Sequence, residues 1–466
     1  MRILRQYVSN RVLAFILGEG LLIFSAVFLA SSFFCLPGLG LFERLLVIWP
    51  KVLLVALIAQ FSLYFNDLYE IRISESTLDL ATHLIQAVGM TSVALAVIYF
   101  IWPRAIIGRW VFFLSLVFLI GFLVSWRFLY LLVIHRRLFT SRALIVGAGE
   151  LAGDLIREVN QRKDLSYDIR GILAHPGEKA HIQGKGEDDI PVRQGFDRLC
   201  DLARAEEVSS IIVALDDKRG FMPYRELLDC KVHGLTVIDG ESFYERITGK
   251  LLVEKINPSW LIFSEGFRKS VFSRFLKRMM GLVTATVMMA LLFPVMALVA
   301  ALIKLESSGP AIFSQERVGE DGRIFMLHKF RSMREDAEEE TGPVWAAEDD
   351  PRITRVGRII RKLRIDELPQ LWNVLKGDMS FVGPRPERPF FVERLRNIVP
   401  YYDERFTVKP GLTGWAQVMY AYGATEEDAV EKLKYDLYYI KNMSLVLDLI
   451  VIFHTVKIVL LGRGSR

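Results

Sequence analysis

Cysteine is scarce in this sequence. There are three in 466 residues, at Cys35, Cys200 and Cys230, with no Cys-x-x-Cys pair, and Cys35 lies inside an apolar run. A zinc site or a disulfide framework is therefore not expected, and a reducing compartment fits the soluble parts. Charge of one sign is scarce too. The formal net charge is +5 and the pI is near 8.9, an excess too small to point to nucleic acid as a partner. No small-residue cleavage pattern accompanies the first apolar run, which is too long for a signal-peptide core. Apolar residues, by contrast, are plentiful. The chain is 52% hydrophobic and still 24% charged, with mean hydropathy +0.30. That mixture predicts membrane segments joined to soluble domains.

Apolar runs cover residues 12–36, 45–65, 84–102 and 110–134. Each approaches or exceeds the ~20 residues needed to span a bilayer, and Trp49, Trp102 and Trp110 sit at interfacial positions. Residues 1–135 are expected to form a four-helix transmembrane bundle. Arg2, Arg5 and Arg11 precede it and Arg136, Arg137 and Arg142 follow it, against Arg44, Lys51, Arg104 and Arg109 in the outer loops. That bias puts both ends of the bundle in the cytoplasm.

At Arg142 the composition changes. Ala143-Leu-Ile-Val-Gly-Ala-Gly-Glu-Leu-Ala-Gly-Asp154 reads as a strand, a glycine turn and a helix. Gly147, Gly149 and Ala152 match the spacing of a dinucleotide fold. Short strands at 169–173, 210–214 and 235–238 alternate with helical stretches, so residues 142–250 are expected to form a Rossmann-like parallel α/β domain. No acid follows the second strand in the ribose-binding position, where Leu173-Ala-His-Pro-Gly-Glu178 stands. No Tyr-x-x-x-Lys pair follows the glycine turn either, which argues against a nicotinamide oxidoreductase. The domain is read as degenerate or regulatory. Whether it binds a nucleotide is left open.

A fifth apolar run covers residues 279–303, after Arg274, Lys277 and Arg278 and before Lys304, with Pro294 in its middle. A proline there removes a hydrogen bond and kinks a helix. The residues allow either a straight span or a helix that breaks near Phe293-Pro294 and returns to the same face. Farther on, Lys329 and Arg331 alternate with Phe330, as on a strand with one polar face. Asp349-Asp-Pro-Arg352 places carboxylates before a turn. Arg355, Arg358 and Arg361 then recur every third residue on a basic amphipathic helix suited to headgroups or phosphates. The stretch at 445–461 holds Asp448, His454 and Lys457 and reads as an interfacial amphipathic helix.

The chemistry centres on Asp366-Glu-Leu-Pro-Gln-Leu-Trp-Asn-Val-Leu-Lys-Gly377. Pro369 suits a helix start, Leu368, Leu371, Trp372 and Leu375 make an apolar face, and Gly377 ends the helix. Asp366 and Glu367 stand at its positive end. Neighbouring side chains diverge on a helix, so one acid can face a reacting phosphorus and the other a metal. Val382-Gly-Pro-Arg-Pro386 adds a cation in a rigid turn.

Lys329-Phe-Arg-Ser-Met333, Asp350-Pro-Arg352, Asp366 to Ser380, Gly383-Pro-Arg-Pro386 and Lys409-Pro-Gly-Leu-Thr-Gly-Trp415 occur in this order. In them the chain resembles the bacterial sugar transferases, and more narrowly the large monotopic polyprenyl-phosphate sugar-1-phosphate transferases of exopolysaccharide synthesis. The specific resemblance covers about residues 270–466. One departure is Gly281, where the family often has an acid after the Lys-Arg pair.

The resemblance implies a monotopic α/β catalytic domain over 270–466 with 279–303 as a re-entrant helix. It implies transfer of a sugar phosphate from a UDP-sugar to undecaprenyl phosphate, with release of UMP, at the cytoplasmic face of the bacterial inner membrane. Asp366 is then the nucleophile and Glu367 the Mg²⁺ ligand. Arg385, Lys329 and Arg331 would clamp phosphate, and Asp350, Arg352, Gly411 and Thr413 are further candidates to contact substrate. The expected partners are the UDP-sugar, undecaprenyl phosphate and the lipid bilayer. Nucleic acid is not among them, and a homo-oligomer is left open. The alternative weighed is a membrane-anchored nucleotide-sensing scaffold with an inactive transferase domain.

Overall fold

The computed structural model describes residues 2–3, 6–7, 10–34, 41–69, 77–135, 140–162, 167–176, 190–218, 220–255, 266–267, 270–334, 350–420, 423 and 425–460. Cys35, Arg136, Arg137, Gly177, Glu178 and Asp349 lie outside them. The chain divides into two compact units, residues 7–240 and 241–466, with residues 2–6 counted in the second.

The first unit opens with four apolar helices: α1 (Asn10–Phe34), α2 (Leu41–Phe65), α3 (Thr77–Ile101) and α4 (Arg109–His135). Each contains a stretch long and apolar enough to cross a membrane. α1 packs against α2 and α4, and α2 against α3. With lipid outside as apolar as the helices themselves, close backbone approach carries the association. Ala26, Ala56, Ala59 and Ala87 fill one shared cluster, and a side chain at Gly18 would strike the Trp126 ring. Among these helices the Glu19 carboxylate is fully buried and meets Arg127 Nη2 at 2.9 Å. The same guanidinium donates to the Leu68 carbonyl and lies 4.9 Å from the centre of the Phe15 ring. Removing one partner strands the other charge. Arg127→Leu is therefore expected to cost about 3–5 kcal/mol, read as a lowered unfolding temperature in detergent; an unchanged temperature would deny the pair any structural role.

The same unit continues as a five-stranded parallel sheet. Its strands are β1 (Ser141–Val146), β2 (Tyr167–Ala174), β3 (Val192–Gln194), β4 (Ser210–Val213) and β5 (Thr236–Asp239). The sheet order is β3-β2-β1-β4-β5. Its helices include α5 (Glu150–Gln161), α6 (Leu199–Ala205) and α7 (Tyr224–Val232). Both faces of the central strands are covered, so β1 and β4 read as continuous apolar runs. The cysteine expectation is corrected here. Cys200 on α6 and Cys230 on α7 form a disulfide with their Cα atoms 5.4 Å apart. The two helices pack on each other and bring together residues 30 apart in sequence, a separation without a local motif.

The second unit begins with α8 (Gly240–Thr248), whose first residue belongs to the preceding unit. Residues 241–255 are built into it. Leu251 and Val253 join its core, the Trp415 indole donates to the Gly249 carbonyl at 2.8 Å, and Lys441, nearly buried, pairs with Glu245 at 2.7 Å. Next comes α9 (Val271–Glu306), one helix of 36 residues with Pro294 inside it. The break expected near Phe293-Pro294 does not interrupt the helical assignment.

Both ends of α9 are anchored on this unit. Lys277 donates to Asp448 at 2.7 Å and Arg278 to the carbonyls of Val374 and Leu375 at 2.5 and 2.8 Å, while Gly281 faces Val374 and Phe381 at a distance where an added Cβ would make ordinary contact, 3.8 Å. Those contacts do the anchoring without an acid at position 281. At the other end Val299 and Ile303 share a cluster with Phe330 and Ile360. Leu291 and Phe293, between the two ends, are exposed.

The remaining elements are a hairpin of β6 (Ile312–Val318) and β7 (Ile324–Phe330), then α10 (Arg355–Lys362), α11 (Gln370–Lys376), β8 (Ser380–Val382) and α12 (Pro389–Ile398). They are followed by β9 (Gly411–Thr413), α13 (Trp415–Met419), α14 (Glu426–Asn442) and α15 (Leu445–Leu460). α15 turns Asp448 and Lys457 inward instead of along a water-facing stripe. Asp448 and Lys457 are buried, because Asp448 takes hydrogen bonds from Lys277 and Tyr439, while Leu449 is exposed. α11 differs in its buried face, made by Leu371, Asn373 and Val374, with Trp372 half exposed. Asn373 clasps β7, donating to the Met326 carbonyl at 2.7 Å and accepting from the His328 N–H at 3.1 Å. Gly377 ends the helix at φ 99°.

Candidate active site

The chain leaves α10 through Arg364, held in the left-handed region at φ 56°. For a residue with a side chain that conformation is uncommon and costly, and it recurs at functional sites. It turns the chain into a single 3-10 turn, Ile365–Glu367, that runs into α11. The two acids are thereby fixed on a rigid corner and not on a loop.

Asp366 and Glu367 have contrasting surroundings. Asp366 is buried, and no hydrogen bond to its carboxylate occurs among the described residues. Burial, reinforced by the neighbouring Glu367 charge, pushes its pKa up to about 6, against the pull of Lys329, Arg385 and Arg361. Glu367 goes the other way. Burial would raise it, but Arg385 and Arg364 outweigh that and hold it ionised well below the usual carboxylate range. Its Oε1 accepts from Arg385 Nη2 at 2.7 Å and lies 3.6 Å from Arg364 Nη1. Two adjacent carboxyls pushed apart in acidity are what a site with divided roles requires.

Lys329 brings a third charge from β7. Its ammonium has no hydrogen-bond or ion-pair partner among the described residues. Burial and the cations Arg317 and Arg385 lower its pKa to about 8, with Asp366 and Glu367 opposing. Arg317 reaches in from β6, where it pairs with Phe325 in the antiparallel register and so shares a face with Lys329. It donates to the Pro386 carbonyl at 3.1 Å, and burial lowers its pKa to about 10. Arg317 also faces Glu387 at 3.7 Å, so four cations (Lys329, Arg317, Arg364 and Arg385) stand among three acids, an arrangement complementary to phosphate oxygens.

Arg385 owes its position to the backbone below it. β8 and β9 pair in parallel, Ser380 with Gly411 and Val382 with Thr413. The Gly411 N–H donates to the Pro384 carbonyl at 2.8 Å, and a Cβ on Gly411 would lie 2.1 Å from the Gly383 nitrogen. From the other side buried Arg405 donates to the Arg385 carbonyl at 2.9 Å, to Asp436 at 3.0 Å and to the Tyr402 hydroxyl at 2.6 Å. The turn carrying Arg385 is therefore held by main-chain close packing and a buried ion pair.

The structure thus brings together Asp366, Glu367, Lys329 and Arg385. Arg331 is placed elsewhere. Its guanidinium donates to the carbonyls of Ser307 and Ser308 at 3.0 and 2.5 Å and closes the end of α9. Asp350 and Arg352 bond each other, at 2.8 Å through Nε, which lowers the Asp350 pKa. Gly411 packs under the turn as described, and the Thr413 hydroxyl meets Thr455 at 2.6 Å. Sequence reasoning gave no role to Arg317, Arg364 or Arg405, although Arg364 stands two residues before the acid pair. The one available signal for Arg317 was its strand spacing from the hairpin turn.

A family model described as bacterial sugar transferase matches residues 272–462, and one described as CoA-binding domain matches residues 64–219. Among curated proteins, the UDP-N-acetylgalactosamine-undecaprenyl-phosphate N-acetylgalactosaminephosphotransferase of Aeromonas hydrophila is 43% identical over 242 residues, 52% of this chain and 56% of that protein. The undecaprenyl-phosphate glucose phosphotransferase of Komagataeibacter xylinus is 31% identical over 375 residues, 78% of this chain and 68% of that protein. The UDP-glucose:undecaprenyl-phosphate glucose-1-phosphate transferase of Escherichia coli K12 is 42% identical over 323 residues, 68% of this chain and 67% of that one. With 31% and 42% identity to the last two of these relatives, each covered to about two thirds of its length, the chain belongs to the bacterial sugar transferases.

Proposed function

We propose that this enzyme transfers a sugar 1-phosphate from a UDP-sugar to undecaprenyl phosphate, releasing UMP, as a first membrane step of exopolysaccharide synthesis. The observation that carries the reading is Asp366: a buried carboxylate with no hydrogen bond among the described residues, beside an acid already paired to Arg385. A carboxylate can attack phosphorus and hold an acyl-phosphate intermediate, and this one is not tied up by a hydrogen bond among the described residues. In the first half-reaction an Asp366 oxygen bonds to the phosphorus that carries the sugar, and the bond from that phosphorus to UMP breaks. In the second, an oxygen of undecaprenyl phosphate attacks the same phosphorus and the aspartyl bond breaks, returning the carboxylate. Lys329, Arg317 and Arg385 neutralise the phosphate oxygens, and the planar guanidinium of Arg385 gives a two-point fit.

The donor set also fits Mg²⁺, which commonly takes one or two carboxylates and completes its shell with phosphate oxygens and water. Glu367, ionised and with Oε2 accepting no hydrogen bond among the described residues, would hold it. When bound, the ion would supply charge neutralisation for the departing UMP. No cluster of three or more His, Cys, Asp or Glu suited to a metal occurs among the described residues, so the substrate's diphosphate would complete the site.

A lipid acceptor requires the site to lie at a membrane surface. In this reading α1–α4 form a transmembrane bundle and α9 enters and leaves by the cytoplasmic face of the inner membrane. The anchoring of both ends of α9 on one unit, with Leu291 and Phe293 exposed between them, supports it. The Cys200–Cys230 bond would be unusual in the cytoplasm, so the side on which each part lies is worth measuring. Val232 and Leu305 are both well exposed. Val232→Cys and Leu305→Cys are expected to be equally shielded from an impermeant thiol reagent in intact cells. Shielding of only one would make α9 a span and end the re-entrant reading.

UMP release from a panel of UDP-sugars by the purified protein, with undecaprenyl phosphate and Mg²⁺, tests the activity itself. Its pH dependence is a second check. Below about pH 6 Asp366 takes a proton and stops acting as nucleophile; above about pH 8 Lys329 loses its charge. A bell-shaped kcat/KM between these limits is expected. A profile flat from pH 5 to 9 would remove both groups from the chemistry.

A further inference from the structure

The α/β domain has a glycine turn in the place where dinucleotide folds hold a pyrophosphate, against the first N–H groups of the following helix. Here that place is filled by the chain itself. The Asp216 carboxylate accepts the N–H of Glu150 at 2.9 Å on Oδ2 and the N–H of Leu151 at 3.1 Å on Oδ1. A Cβ at Gly149 would lie 2.0 Å from Asp216 Oδ2. Gly147, at φ 112°, is likewise accounted for from within, since a Cβ there would lie 2.5 Å from the Ala214 carbonyl oxygen. Both glycines are used to admit the segment that follows β4, and leave no room for a ligand to use them.

The same segment closes the neighbouring subsite. After β2, where an acid would bind a ribose, stands His175, and the Phe221 ring packs edge-on against it at 4.5 Å between centroids. Between these points Lys218 pairs with Asp239 at the end of β5 at 2.5 Å. Because the sheet order runs β2-β1-β4, a segment that leaves β4 and reaches His175 crosses the end of β1. That is the crevice across which a dinucleotide would lie.

We propose that the α/β domain is self-liganded: the segment after β4 lays its own carboxylate and its own aromatic ring in the crevice, and the domain takes neither CoA nor a dinucleotide at the glycine turn. Its glycine motif then serves packing and capping, and the CoA-binding description does not extend to a bound CoA in this chain.

Hydrogen exchange on the full-length protein in detergent tests this without reference to transferase activity. Amides at 149–153 should be protected in the wild type and unaffected by millimolar CoA or NAD⁺. Asp216→Ala should speed exchange there at least tenfold while the peptide covering β1 stays protected. If that variant opens the whole domain, Asp216→Asn is the second reading: with one acceptor oxygen left in place of two, exchange should rise at one of the Glu150 and Leu151 amides and not at both. Unchanged exchange at 149–153 in the variants would remove the capping carboxylate. Slowed exchange at 147–153, or faster exchange at 214–223, on adding CoA or NAD⁺ to the wild type would overturn the proposal.

Discussion

Asp366→Asn should reduce UMP release by at least about 10⁴-fold, the scale on which loss of a covalent nucleophile is felt. The amide keeps the shape of the side chain but cannot attack phosphorus. The fold should survive, because the carboxylate accepts no hydrogen bond among the described residues and sits buried at an energetic cost that the neutral amide relieves. An unchanged or slightly raised unfolding temperature is therefore expected together with lost activity. In the wild type without acceptor, a sugar-phosphate adduct on the peptide carrying Asp366 should appear by mass spectrometry. Glu367→Gln should fail differently, with activity partly restored by extra Mg²⁺. Near-normal turnover in Asp366→Asn would end the covalent reading.

Arg405→Leu should be the most damaging change outside the acid pair. Arg405 and Asp436 are both buried, and the guanidinium also holds the carbonyl of Arg385. Breaking a buried pair by removing one partner costs about 3–5 kcal/mol. In a unit of this size that lowers the unfolding temperature by on the order of 10 °C. Burial already pushes Asp436 up to about 6; without Arg405 it would take up a proton, which keeps the loss near the lower end. Activity should fall further than the folded fraction accounts for, because the Arg385 turn loses its buttress. The comparison is specific activity below the transition temperature: equal values for variant and wild type would make Arg405 a stability residue only.

The range of the forces involved decides which features a sequence displays. The apolar helices were legible because a bilayer fixes their length and excludes charge locally, and the observed α2 and α4 agree with their runs to within a few residues. The acid pair was legible because it is one contiguous motif. Arg331 was misplaced by strand alternation. Its N–H still joins the ladder to Ala311 at 2.9 Å, but the open carbonyls at the end of α9 claim its side chain. Asp448 looked like part of a water-facing stripe because its charge partner, Lys277, lies 171 residues away. Asp216 was invisible for the same reason, 66 residues from the amide it caps. Long-range partners decide where a polar side chain goes, and no local period records them.

The stretch 241–255 bears on how such chains can be taken apart and recombined. By position it trails the parallel sheet, so a cut made after it would look natural to anyone exchanging the front part of one chain for that of another. Physically it belongs to the catalytic half. A cut beyond residue 255 would take away Leu251 and Val253 from the core, the carbonyl that receives the Trp415 indole and the carboxylate that faces Lys441. A viable seam therefore lies at residue 240, between the last strand and the helix after it. A chimera joined there inherits a complete catalytic half, whereas one joined beyond residue 255 carries a hole in its floor.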